Sequence, residues 1–180
     1  MTIAVVSALV LLAVLFGPWS YRGPEVVSQT NGSARGAVSA PGENQYYFFA
    51  SGQVCLDGEG SAKIISVEPV GSHGGLQVTD FAVLPHPSTE RMGADPGRLR
   101  DDEAYSGPKT IAEVCKSGTS TSELYLELLK PRKEDAWARE FDLKYEIDDH
   151  QGSTRIQLGL GICEKKLDDC DTENGWSDES

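Results

Sequence analysis

Residues 141–162 read FDLKYEIDDHQGSTRIQLGLGI and show the clearest periodicity in the chain. Apolar residues occupy every second position in both of its halves: Phe141, Leu143, Tyr145, Ile147, Ile156, Leu158, Leu160 and Ile162. A period of two indicates strands with one buried face, whereas a helix would spread the same residues over all sides. Residues 148–153, which include Gly152, separate the two halves. The stretch therefore predicts an antiparallel hairpin, with Gly159 and Gly161 on the face opposite the apolar side chains.

Similar strand patterns precede this hairpin. They cover residues 45–56 (interrupted at Gly52), 62–70 (with Ile65 and Val67 on one face), 76–84, 110–114 and 123–129. The alternation changes phase at Thr79 and Asp80, which predicts a β-bulge. Residues 130–140 are charged and are predicted to hold a short helical turn around Trp137. Six or seven strands with almost no helix predict an all-β protein, an antiparallel immunoglobulin-like β-sandwich over residues 45–166. The Cys…Trp…Cys pattern of true immunoglobulin domains is absent, so this prediction concerns architecture and not family.

The chain begins with an uncharged apolar run, TIAVVSALVLLAVLF, at residues 2–16. We predict an N-terminal transmembrane helix over residues 1–19, acting as a membrane anchor or uncleaved signal, with Trp19 and Tyr21 at headgroup level. A cleaved signal peptide is the alternative, because its apolar region is typically about 7–15 residues long. The small residues that cleavage needs are missing just after the run. A buried core helix would alternate with polar residues, and this segment does not.

Two further segments flank the predicted domain. Residues 20–44 are rich in Gly, Ser, Ala and Pro, a composition typical of a flexible linker. Residues 167–180 form an acidic tail. The spacing of Asp169, Asp171 and Glu173 resembles the start of a calcium-binding loop. The sixth position is Asn174 where glycine is needed, and the twelfth is Ser180 where glutamate is needed, so we predict a solvated charge run.

The net charge limits the classes of partner that the chain can bind. A net charge of −12 argues against nucleic acid as a partner, since phosphate binding needs a concentrated basic surface.

The four cysteines are Cys55, Cys115, Cys163 and Cys170. An even count in an exported chain predicts two disulfides. Among three connectivities we favour Cys55–Cys115 with Cys163–Cys170, because the latter pair closes a short loop. Free thiols and a metal site are the alternatives, but the spacing fits no zinc template.

No catalytic or cofactor motif stands out. His73, His86 and His150 all fall in predicted loops, and no copper-type cluster of His, Cys and Met occurs. There is no Gly-x-Ser-x-Gly elbow, and no Ser or Cys is paired with a His by local pattern. We therefore predict no enzyme activity, no metal and no cofactor.

The long connection over residues 85–109 is the best candidate for recognition, because loops on a rigid scaffold commonly carry binding. Its binding-loop candidates are Arg91, Met92, Arg98, Leu99 and Tyr105. Arginine and tyrosine are enriched at interaction hot spots. The alternative is a mobile, solvated insertion.

Several segments resemble a known kind of domain. They are VCLDGEGSAKIISVEPVGSHGGLQVTDFAVLP at residues 54–85, followed by TIAEVC, ELYLEL and LGLGIC. Over about residues 53–163 this sequence resembles small membrane-anchored β domains of actinobacteria. The resemblance implies an anchor followed by a sandwich, and it implies no activity and no site residues.

Together these features predict a single-pass protein of the cell membrane whose soluble β-sandwich is extracytoplasmic. We expect it to be non-enzymatic, to contact the membrane through its N-terminal helix and to bind a protein or cell-envelope partner. A small-ligand or metal carrier domain of the cell envelope is the alternative. A hydrolase accessory domain or a degenerate enzyme is the third interpretation.

Overall fold

A computed structural model describes residues 23–29, 34–85, 93–105, 107–116, 121–167 and 170. Its strands are β1 (Val26–Ser28), β2 (Ala34–Ser39), β3 (Gln45–Leu56), β4 (Ala62–Val70), β5 (Gln77–Pro85), β6 (Ala94–Pro96), β7 (Thr110–Ile111), β8 (Ser122–Lys130), β9 (Ala136–Ala138), β10 (Glu140–Ile147), β11 (His150–Ile156) and β12 (Leu158–Cys163). Two 3₁₀ turns, Leu99–Asp101 and Glu103–Tyr105, follow β6. Within these ranges no helix has the length and apolar character needed to cross a bilayer. The predicted anchor over residues 1–19 lies outside the described part of the chain.

The strands form a sandwich-like, all-β arrangement, as predicted. One sheet has the order β1-β3-β8-β5, with β6 also paired to β3. The other strands form a sheet of order β11-β10-β4-β7 and a three-stranded sheet of order β2-β12-β9. Leu124, Leu126 and Leu128 of β8 share a buried core with Phe141 and Leu143 of β10. The described strands number twelve, more than the six or seven predicted, partly because four of them have only two or three residues.

The predicted hairpin is present, but its register differs from the prediction. β10 and β11 pair from Phe141↔Ile156 to Ile147↔His150, so the turn is only Asp148 and Asp149. The hairpin continues as β9 against β12, where Ala138 pairs with Leu160 after a shift of one residue. The polar residues 150–153 looked like a loop, yet their backbone groups pair with β10. Both turn residues have positive φ, 45° and 64°, which a two-residue hairpin turn of this kind requires.

Trp137 lies in a strand and not in the predicted helical turn. The backbone of β9 pairs with β12 on one side. On its other side the His73 N–H donates to the Trp137 carbonyl at 2.8 Å. These non-local hydrogen bonds override the charged composition of residues 130–140. Gly159 and Gly161 are buried in β12, between β2 and β9.

Part of the predicted flexible linker is ordered. Within residues 20–44, β1 pairs antiparallel with the end of β3, and β2 pairs parallel with β12. Backbone pairing at existing sheet edges orders these segments, although they contain few large apolar side chains. Small residues help β2 to approach, since a Cβ at Gly36 would lie 3.3 Å from Leu160 Cδ2.

Two irregularities in the strands lie where the sequence predicts them, whereas one residue faces the opposite side from the prediction. The predicted bulge in β5 is confirmed, because the pairing with β8 shifts between Val78 and Asp80. The interruption of β3 at Gly52 is also a register shift. Ile65, predicted to face the core with Val67, is instead 46% exposed. The β4–β10 register passes over Ile65, so Ile64 and Val67 turn inward in its place.

Two disulfides join the cysteines in the favoured connectivity. Cys55–Cys115 has a Cα–Cα distance of 5.1 Å, and Cys163–Cys170 one of 5.6 Å. No cysteine in the described ranges is free. Cys55 lies near the end of β3, whereas Cys163 pairs with Ser39, shortly before β3 begins. The disulfides therefore lie at opposite ends of the sandwich.

Tyr145 and Gly152 lie directly opposite each other in the hairpin, and the tyrosine ring covers the glycine. A Cβ at Gly152 would lie 2.5 Å from Tyr145 Cζ. Tyr145 is 6% exposed and has little room to move. We expect Gly152→Ala to lower the free energy of unfolding by about 1–3 kcal/mol, as overpacking does, in urea denaturation.

The matched control is Gly107→Ala, where a Cβ would meet only the Val83 carbonyl oxygen at 3.8 Å. This control should change the free energy of unfolding by less than about 0.5 kcal/mol. Equal losses in the two variants would show that the Tyr145–Gly152 contact contributes nothing specific.

Candidate functional site

The central strand β8 is buried on both faces. Leu124, Leu126 and Leu128 enter the main core, and the alternate residues Glu123, Tyr125 and Glu127 face the other way. These three are also buried, at 7%, 2% and 3% exposure. The alternation of leucine with Tyr125 and Glu127 predicts one buried face, and nothing in this local pattern indicates that another segment covers the second face.

The segment that covers this face contains the two 3₁₀ turns, Leu99–Asp101 and Glu103–Tyr105, and is called the covering segment. It contributes two of the predicted binding-loop candidates. Leu99 and Tyr105 form a second core cluster with Phe48, Ala82 and Tyr125. The Tyr105 ring lies 5.0 Å from the Phe48 ring and 4.8 Å from the Tyr125 ring, tilted against both. At 2% and 5% exposure, Leu99 and Tyr105 contact the domain itself and offer no surface to a partner.

The other three candidates differ from these two. The Arg98 guanidinium carbon lies 3.8 Å from the centre of the Tyr46 ring, a cation–π contact at a half-buried position. Arg91 and Met92 lie outside the described residues. Recognition through this connection stays a prediction, without Leu99 and Tyr105 as its apolar anchors.

Glu127 ties the covering segment to the sheet. Its Oε1 accepts a hydrogen bond from Thr79 Oγ1 at 2.6 Å. Its Oε2 accepts one from the Leu99 N–H at 2.7 Å, where the first 3₁₀ turn begins. Both carboxylate oxygens are therefore occupied, which explains how an acid is accommodated beside aromatic rings.

Glu123 has a different environment. Burial raises the pKa of Glu123, and the hydrogen bond from the Tyr125 hydroxyl at 2.9 Å opposes that shift. Glu123 and Glu127 are four residues apart on one strand, which separates them by about 13 Å. Carboxyl pairs that hydrolyse glycosides are closer, about 5–9.5 Å apart. These two acids are therefore not arranged as such a pair.

A second polar cluster lies at the end of the sandwich that carries Cys163. Lys130 is fully buried, and its Nζ pairs with a carboxylate oxygen of Glu164. The same oxygen accepts the Gly42 N–H at 2.9 Å. The Glu164 N–H in turn donates to Asp135 Oδ1 at 2.6 Å. The Lys130 ammonium lowers the pKa of Glu164.

This cluster includes a possible set of metal ligands that the spacing did not suggest. Asp135, Cys163 and Cys170 place one carboxylate oxygen and two sulfurs within 4.8 Å of one another. Both sulfurs belong to the disulfide, so neither is the thiolate that a metal would need. The arrangement therefore does not fit a metal ion while the disulfide is intact.

The histidines are dispersed. The His73 ring stacks on Trp137, with ring centres 5.5 Å apart and an angle of 18°. His150 Nδ1 lies 2.9 Å from the Asp148 carbonyl oxygen, in the hairpin turn. His86 lies outside the described residues. The structure thus brings His150, but not His73, to a concave surface.

That surface is a pocket of about 240 Å³ between the segment leading into β1 and the end of the β10–β11 hairpin. We call it the hairpin pocket. Its lining residues are Gly23, Pro24, Glu25, Tyr145, Ile147, Asp148, His150, Gln151 and Gly152. The Glu25 N–H donates to Asp57 Oδ1 at 2.6 Å, which places the pocket beside the turn after β3. Sequence reasoning missed this pocket because its two walls are more than a hundred residues apart in the chain.

Two comparisons with known proteins do not assign the chain to a family. The chain matches no protein-family model, and a search of curated proteins found no match.

The raised pKa of Glu123 predicts a pH-dependent effect of Glu123→Gln. Because the folded state binds the proton more readily than the unfolded state, the wild-type contribution is fully present below about pH 4.5, the ordinary pKa of the group, and is lost as pH rises. We expect the glutamine variant to be more stable than the wild type at pH 7, and equal to it below about pH 4.5. Urea denaturation across this pH range measures the difference. Exposed Glu59→Gln is the control, and an identical pH profile for the two variants would argue against the assignment.

The Lys130–Glu164 pair predicts an asymmetry between its two partners. Glu164→Ala leaves a buried ammonium without its carboxylate, whereas Lys130→Met leaves a carboxylate that is 24% exposed and still bonded to Gly42. Glu164→Ala should therefore lower the thermal midpoint more than Lys130→Met.

The contribution of the Lys130–Glu164 pair to stability depends on pH in the opposite direction to that of Glu123. Because the folded-state pKa of Glu164 is lowered, its stabilisation is present above the unfolded pKa of about 4.5 and is lost as pH falls through the folded value. Thermal melts at pH 7 and pH 3 should show the Glu164→Ala loss shrinking at low pH. A loss that stays constant would contradict the ion-pair explanation.

Proposed function

We propose that this chain is a membrane-tethered, extracytoplasmic β-sandwich module that binds a protein or cell-envelope partner and does not catalyse a reaction. The observation that carries the proposal is the pairing of all four cysteines in two disulfides. Such bonds form and persist in oxidising compartments outside the cytoplasm. The apolar run at residues 2–16 is the expected route of export and tethering.

The strand order supports an immunoglobulin-like assignment. Lettering β1, β3, β4, β5, β8, β10 and the β11–β12 run as A to G gives one sheet of order ABED. The facing strands β4, β10 and β11 then have the order CFG. Both orders match those of a constant-type immunoglobulin sandwich, which supports the proposed assignment. Sandwiches of this type commonly present their loops to a partner while the sheets stay rigid.

A role in binding fits the chemistry of the described residues better than catalysis does. The cysteines are in disulfides and offer no nucleophilic thiolate. Both oxygens of Glu127 accept hydrogen bonds from the protein, and Glu123 is bonded to Tyr125. The buried acids thus have structural partners on the sheet.

The tether would orient the module. Gly23 lines the hairpin pocket, so the chain enters the sandwich at that end. With residues 1–19 in the bilayer, the hairpin pocket would lie nearer the membrane, and the end that carries Cys163 would lie farther away.

The small-ligand carrier is the second candidate, and the hairpin pocket is the observation that favours it. A cavity of about 240 Å³ is large enough for a small organic group. The metal-carrier version has less support, because the sulfurs nearest Asp135 are joined in a disulfide.

Fractionation combined with thiol labelling of cells that express the full chain tests this proposal. We expect the chain to sediment with membranes at its full mass, its cysteines to react with a maleimide only after reduction, and external protease to digest the domain. Substituting arginine for Leu11 and Leu12 should abolish membrane association. Recovery of the unprocessed chain in the cytosol with four reactive thiols would overturn the proposal.

A further inference from the structure

We propose that the hairpin pocket binds an organic cation, namely an amine carried on a short apolar stem. This inference rests on the binding role proposed above and names the chemistry of one ligand group. The amine could belong to a small molecule or to a lysine side chain of a partner, and the test below separates these two sources.

The inner wall of the pocket is apolar and well packed. Tyr145 and Ile147 are 6% and 5% exposed and belong to the main core, so their positions are set by the fold. The Tyr145 ring lies against Gly152, and Pro24 lines the pocket from the other wall. This wall can pack against the methylene groups of a stem. An aromatic ring also attracts a cation within about 6 Å.

The rim carries negative charge. Glu25 and Asp148 both line the pocket, and both residues are exposed. Asp57 lies beside Glu25, since it accepts the Glu25 N–H. Among the lining residues that the structure describes, His150 is the one that can carry positive charge, and its Nδ1 lies 2.9 Å from the Asp148 carbonyl oxygen. In a chain of net charge −12, this rim favours a cation and disfavours a carboxylate or phosphate.

The size of the pocket limits the ligand. A volume of 240 Å³ corresponds to about eight water molecules at roughly 30 Å³ each. Pockets for drug-sized ligands are larger, about 300–1,000 Å³. A group the size of a lysine side chain therefore fits this pocket better than a bulky polycyclic ligand.

The geometry favours an organic cation over a metal ion. In the described part of the chain, the group with three possible ligand atoms within 4.8 Å is Asp135 with the two disulfide sulfurs. Glu25, Asp148 and His150 do not form such a group. Their charges therefore surround the pocket without converging on a single coordination point.

Isothermal titration of the full chain in non-ionic detergent tests the inference with n-pentylamine as the probe. Sodium pentanoate is the charge-reversed probe of the same length, and calcium chloride is the metal probe. We expect n-pentylamine to bind, pentanoate not to bind, and calcium not to displace the amine. The amide signals of Gly152 and Gln151 should shift with n-pentylamine in NMR spectra.

The variant pair is Glu25→Gln with Asp148→Asn, and the matched control is Glu43→Gln, an exposed acid just before β3 at the opposite end of the sandwich. Asparagine tolerates the positive φ of 45° at position 148, and thermal melts will verify that the double variant is folded. Loss of the rim charges should weaken n-pentylamine binding at least about fivefold, and the control should not. Equal affinity in the folded double variant and the wild type would overturn the inference, as would binding of pentanoate.

A blocked tripeptide, acetyl-Gly-Lys-Gly-amide, identifies the source of the amine. Tighter binding of the tripeptide than of n-pentylamine supports a lysine side chain of a partner, and the reverse supports a small amine. If neither amine binds while the chain is oxidised and membrane-associated, the inference fails and the proposed function stands. Recovery of the chain from the cytosol with reduced cysteines would overturn both the inference and the proposed function.

Discussion

The sandwich is built on the backbone pairing of one long hairpin, β9–β10 against β11–β12. β10 pairs with β4 on its other side, and β12 pairs with β2, so this one hairpin joins two sheets. A register slip of one residue would turn Phe141 and Leu143 from the core to solvent. The short Asp148–Asp149 turn and the contact of Tyr145 with Gly152 oppose such a slip. The hairpin thereby also positions one wall of the hairpin pocket.

The opposite sheet depends on a strand with two buried faces. β8 contributes leucines to the main core and Tyr125 to the second cluster beneath the segment that carries Leu99 and Tyr105. Two acids are therefore buried beside aromatic rings, and each is accommodated through hydrogen bonds. Glu127 accepts bonds from both its neighbouring strand and the covering segment. Leu99 and Tyr105, two of the five residues expected to contact a partner, instead complete the domain.

The two ends differ in chemistry. One end of the sandwich carries the hairpin pocket with its acidic residues, and the Cys55–Cys115 disulfide near the end of β3. The other end carries the buried Lys130–Glu164 ion pair, the Cys163–Cys170 disulfide and Asp135. A disulfide at each end of the sandwich stabilises the folded domain by restricting the unfolded chain. The proposed binding role uses the first end, because that end has a concave surface.

The all-β class, the hairpin and the bulge after Val78 could be predicted from the sequence, because alternation within a short stretch reports directly on one buried face. The favoured disulfide pairs are predicted from the even number of cysteines and the short loop between Cys163 and Cys170. Only the folded chain shows that residues 26–28 and 34–39 are strands, that Tyr125 and Glu127 are covered, and that Glu25 and Asp148 line the same pocket. Those features depend on which distant segments pair with an edge or cover a face, and a local pattern carries no record of such partners.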